Sequence, residues 1–110
     1  MSDYYPDKFL LVEIEYQEET LMKVFGTWAG GYTTGDSWKL NSGISGVTVD
    51  DDTIHFSGYS GSTYHCHPDM YGSVTSVYGV ILSMVEKATV PARILTEEEM
   101  LAYVKEKTDA

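Results

Sequence analysis

The chain has 110 residues, 43% hydrophobic and 13% aromatic, with 17 acidic against 7 basic side chains and a formal charge of −10. Those figures exclude a disordered segment, two large hydrophobic cores and unassisted binding to duplex DNA, which needs Lys and Arg to neutralise phosphates. No apolar run approaches the roughly 20 residues of a membrane span, Met1 to Tyr5 lacks the parts of a signal peptide, and the lone Cys66 has no disulfide partner within the chain, so one soluble cytoplasmic domain over residues 1–110 is expected.

Taken in order, the first predicted element is a strand over Lys8 to Tyr16, where Leu10, Val12, Ile14 and Tyr16 alternate with Phe9, Leu11, Glu13 and Glu15 in the period-2 pattern of a half-buried strand. Gln17-Glu18-Glu19 reads as a polar turn, and Leu21 to Trp28 as a second strand passing through Gly26. Residues 29 to 35 form a Gly-rich connection to a third strand, Ser37 to Ile44. Val47 to Val49 and Thr53 to Phe56 flank the Asp50-Asp51-Asp52 turn as a short hairpin, and Ser62 to Cys66 follows as a further strand.

Helices are expected only afterwards. Pro68 and Asp69 suit a first turn and an N-cap, and Val74, Val77, Tyr78, Ile81, Leu82 and Val85 recur at helical spacing to about Lys87. Gly72, Ser76, Gly79 and Ser83 form a small-residue stripe that admits a close backbone, either the sheet or a second copy of the chain. Thr96 with Glu99 makes a capping box, Leu95 and Met100 occupy staple positions, and three Glu residues meet the positive end of the helix dipole. The expected fold is therefore α+β: a five- to six-stranded antiparallel meander sheet, one packing helix and a short C-terminal helix.

The densest chemistry lies between Phe25 and Gly43, where both tryptophans flank a Gly, Thr, Ser and Asp connection. Trp28, Tyr32 and Trp38 offer flat faces, Asp36, Ser37, Asn41 and Ser42 offer polar edges, and Lys39 offers a cation for a phosphate. Alternation puts Lys39 and Asn41 on one strand face and Trp38 with Ser42 on the other. The expected ligand-binding set is Tyr32, Lys39, Asn41, Trp28 and Ser42, with Trp38 as a core anchor. The competing reading makes the tryptophans core and the Gly, Thr and Ser residues turns.

Metal and catalytic patterns are sparse. His65 and His67 stand two apart, as in an HxH metal site, with only His55 or a carboxylate to complete it. Otherwise they are polar residues near a strand end, and no cofactor is expected. Cys66 adjoins histidines without a third orienting group. No Gly-x-Ser-x-Gly elbow or phosphate loop occurs, so no catalytic residue is assigned.

The run from Trp28 to Ile44, Trp-Ala-Gly-Gly-Tyr-Thr-Thr-Gly-Asp-Ser-Trp-Lys-Leu-Asn-Ser-Gly-Ile, resembles stretches of small bacteriophage accessory proteins. The resemblance implies a counter-defence setting in the host cytoplasm, either sequestering a nucleotide signal in an oligomeric pocket or acting as an acidic decoy. The expected function is a non-enzymatic, homo-oligomeric binding protein for a small polar or nucleotide-like ligand. The alternatives are an acidic inhibitor or nucleic-acid mimic that binds a basic host protein, and a metal-dependent hydrolase centred on His65 and His67.

Overall fold

Phe9-Leu10-Leu11-Val12 is buried along its whole length, so the strand that carries it is covered on both faces. In the computed structural model, which describes residues 2–30 and 35–108, that strand is β2 (Lys8–Tyr16). The others are β1 (Ser2–Tyr4), β3 (Glu19–Trp28), β4 (Ser37–Leu40), β5 (Ile44–Asp50), β6 (Thr53–Gly58), β7 (Ser62–Cys66) and β8 (Ala92–Ile94). The helices are α1 (Thr75–Lys87) and α2 (Glu97–Thr108). The protein has an α+β fold with its helices after the main run of strands. Those strands form two four-stranded sheets where one sheet of five or six was expected.

The inner sheet runs β4-β3-β2-β8 and the outer sheet β1-β7-β6-β5. Between them lies the larger core, in which Phe9, Leu11 and Val24 of the inner sheet meet Ile54, Phe56 and Tyr64 of the outer one. On the other side of the inner sheet, Leu10, Val12 and Phe25 pack against Ile81 of α1. Helix α2 covers one end of the sandwich with Met100 and Val104.

Local chemistry accounts for the hairpins. Gln17 and Glu18 both take positive φ, 50° and 65°, as do Asp51 and Asp52 at 43° and 63°. These are the backbone values of two-residue turns whose twist matches the strands they join. The capping box forms in both directions: the Thr96 N–H donates to Glu99 Oε1 at 3.0 Å, and the Glu99 N–H to Thr96 Oγ1 at 3.2 Å. That Thr96 N–H, followed by Arg93, holds the Glu99 carboxyl below the usual carboxylate range.

Three departures from the expected elements have tertiary causes. Asp69 caps no helix; residues Pro68–Met70 make one 3₁₀ turn, and α1 starts only at Thr75. In between, the Gly72 N–H donates to the Phe9 carbonyl at 2.7 Å, which holds the chain extended along β2. Strand β8 replaces the plain connection expected around Pro91 and pairs antiparallel with β2. Strand β1 pairs parallel with β7 at the edge of the outer sheet.

Tyr71 completes the ladder where β8 ends. Its hydroxyl accepts from the Leu11 N–H at 3.0 Å and donates to the Leu95 carbonyl at 2.7 Å. Tyr71→Phe leaves both backbone groups without this partner and is expected to cost about 1–3 kcal/mol, read from the urea midpoint at constant slope. An unchanged midpoint would contradict the bridge.

Burial chiefly pushes the hydroxyls of Tyr64, Tyr71 and Tyr103 up to about 12. An unfolded tyrosine ionises at about 10, so the stability these neutral groups contribute is complete below that pH and is lost as pH rises from about 10 to about 12. Phenolate absorbance should retain a late component that appears together with unfolding. One early transition with the fold intact would contradict it.

Candidate functional site

Strand alternation separates the expected ligand-binding residues as the sequence requires, and the two sheets disperse them further. Lys39 stands opposite Gly26 and faces the outer sheet, where its Nζ lies 5.1 Å from the Tyr4 ring centroid. Trp28 meets the same Tyr4 ring edge-on at 6.3 Å and donates its Nε1–H to the Tyr5 carbonyl at 3.1 Å. Lys39 and Trp28 thus come together around Tyr4. Trp38 is on the opposite face, stacked on Phe25 at 5.6 Å, yet it keeps 40% of its surface exposed where a core anchor was expected. Tyr32 lies outside the described residues.

Asn41 and Ser42 form the corner at which the chain leaves the inner sheet and enters the outer one. Asn41 is 5% exposed; its Oδ1 accepts from the Val24 N–H at 2.8 Å and its own N–H donates to the Val24 carbonyl at 3.0 Å. Its Nδ2 has no partner among the described residues. Ser42 Oγ accepts from the Ser60 N–H at 3.0 Å. Gly43 completes the corner at φ 132°, where an added Cβ would come within 2.7 Å of Leu21. Only glycine fits both constraints.

Beside this corner a cleft of about 570 Å³ opens between the sheet edges and α2. Leu21, Ile44 and Val47 give it apolar walls, while Tyr59, Tyr103 and Lys107 stand at its rim. Lys107 Nζ lies 5.6 Å from the Tyr103 ring centroid. Glu13 also lines the cleft, bonded at 3.1 Å to Arg93, whose other arm reaches Glu99 at 2.7 Å. Of the expected ligand-binding residues among those described, Trp28, Lys39, Asn41 and Ser42, none lines the cleft. Tyr59 follows Gly58 in a Gly-Tyr-Ser-Gly turn, and the aromatic residue within that turn is the signal for it in the sequence.

The histidines regroup across strands. His67 is exposed beyond the end of β7, whereas His65 faces His55 of β6 directly. Among the described residues, no three His, Cys, Asp or Glu side chains gather as a metal-ligand set. Cys66 is fully buried, and burial pushes its thiol far up, so it offers no thiolate nucleophile. No helix among the described residues is long and apolar enough to cross a membrane.

No protein-family model matches the chain, no curated protein matches it and no solved structure matches it.

The corner generates a direct test. Asn41→Ala removes the acceptor of a buried N–H and is expected to destabilise the protein by about 1–3 kcal/mol, measured by chemical denaturation. A variant as stable as wild type would show that Asn41 does not brace the corner.

Proposed function

We propose that the protein is a non-enzymatic binding protein that holds a small polar ligand with a flat, nucleotide-like body in the cleft beside the Asn41–Gly43 corner. The observation that carries this reading is the cleft itself. Its volume of about 570 Å³ falls within the range of small-molecule sites, and its lining sets Leu21, Ile44 and Val47 beside polar groups that include Thr20, Ser45, Glu13, Glu106 and Lys107. Tyr59 and Tyr103 supply ring faces, and Lys107 supplies the cation that the sequence pointed to at Lys39.

The setting implied by the phage resemblance is host cytoplasm, with sequestration of a nucleotide signal as the role. A second copy of the chain belongs to the same proposal. Tyr78 and Leu82 stay exposed on α1, and an added Cβ at Gly79 would meet nothing within 4 Å. That face has room for another backbone.

Calorimetry of the wild-type protein against nucleotides and cyclic dinucleotides tests the reading. One member of the panel is expected to bind, and Tyr59→Ala and Lys107→Glu are each expected to weaken it at least tenfold while the melting temperature is kept. Tyr59 is 68% exposed, so its loss is a fair probe of the cleft without loss of the core. No binding by wild type, or equal binding by both variants, would overturn the site. Salt-sensitive capture of a basic protein instead would favour the acidic-inhibitor alternative.

A further inference from the structure

The outward face of the outer sheet carries four side chains in one connected row that the cleft does not use: Asp50, His55, His65 and Asp3. His55 and His65 are direct cross-strand partners in β6 and β7, and their Nδ1 atoms lie 2.6 Å apart. At the far side of each ring, Nε2 of His55 is 2.7 Å from Asp50 Oδ1 and Nε2 of His65 is 3.0 Å from Asp3 Oδ1. An ionised carboxylate only accepts hydrogen bonds. Each Nε2 therefore carries an N–H, and with both rings neutral each Nδ1 points a lone pair into the shared gap.

Two lone pairs aimed at each other over that distance repel unless a positive centre lies between them. A carboxylate behind an imidazole is also the arrangement that fixes the tautomer of a metal-ligating histidine and raises its basicity. Here it occurs twice, once on each side of one gap. We propose that this gap binds one divalent transition-metal ion of the borderline class, zinc or copper, through Nδ1 of His55 and Nδ1 of His65.

The chemistry of the surroundings fits such an ion. Nitrogen donors select zinc or copper over magnesium or calcium, which take oxygen. The charges of Asp3 and Asp50 balance the two charges of the ion. Tetrahedral metal–nitrogen bonds of about 2.0–2.1 Å place two nitrogens about 3.3 Å apart, so the rings separate by roughly 0.7 Å on binding. The side chains of His55 and His65 keep 21% and 17% of their surface, which gives the ion and its waters access. Tyr5, stacked on His65 at 4.6 Å, is 66% exposed and free to follow the ring. With no third protein ligand gathered among the described residues, water completes the coordination.

Tag-free protein titrated with zinc chloride, and separately with copper(II) chloride, tests the site, with magnesium chloride as the control. The expected result is one equivalent of zinc or copper bound and none of magnesium. Long-range proton–nitrogen spectra with zinc should shift Nδ1 of His55 and His65 while leaving His67 in place. His55→Gln and His65→Gln should each weaken binding at least tenfold, Asp50→Asn about tenfold, and His67→Ala not at all. Absence of saturable binding in the wild type would overturn the proposal and leave a single shared proton as the occupant of the gap. A zinc-induced shift confined to His67 would overturn it as well, and the wild-type spectra decide the matter even where a histidine variant fails to fold.

Discussion

The architecture depends on one requirement: the apolar run Phe9 to Val12 has to be dry on both sides. A strand with one wet face needs one partner layer, whereas this strand needs two, because its alternate side chains belong to different cores. The outer sheet covers Phe9 and Leu11, and α1 covers Leu10 and Val12. Both edges of β2 also need hydrogen-bond partners, which β3 supplies along its length and β8 with Tyr71 supplies on the other side. Elements distant in sequence are thereby recruited to one strand.

The parts legible in the sequence are those whose signal is local. The hairpins at Gln17–Glu18 and Asp51–Asp52 follow from polar turns between alternating runs, and α2 begins where Thr96 and Glu99 can satisfy each other's backbone groups. Three-residue strands carry too little periodicity to read, and β1 and β8 exist because a neighbouring edge accepts them. The division into two sheets was equally hidden. Asn41-Ser42-Gly43 sat inside an expected strand, yet the corner there depends on Val24, Leu21 and Ser60, which only the folded chain brings near.

The polar residues between Trp28 and Ser42 stood out because amide, hydroxyl and aromatic groups suit a ligand, but the same groups suit a sandwich corner. The Asn41 side-chain carbonyl accepts from the Val24 N–H and the Ser42 hydroxyl accepts from the Ser60 N–H, so both residues brace the backbone of the corner. The histidines teach a related lesson about register. Spacing along one strand joined His65 to His67, whereas pairing outward from the turn after Gly58 places His55 opposite His65. A cross-strand neighbour is closer than a residue two positions along the same strand.

The placement of β1 and β8 also bears on how the chain is made. Ser2 pairs with Ser62 and Val12 with Ile94, so strands made earlier are completed by residues that emerge much later. Until then, the β2–β3 hairpin has its Phe9 to Val12 run without its second edge and without α1. Such an unfinished edge is the surface on which newly synthesised chains stick to one another. The turns at Gln17–Glu18 and Asp51–Asp52 can close early, but β2 gains its second edge only once Ile94 has emerged. Its charge imbalance, seven basic against 17 acidic residues, makes such chains repel one another over the interval in which the central strand is still uncovered.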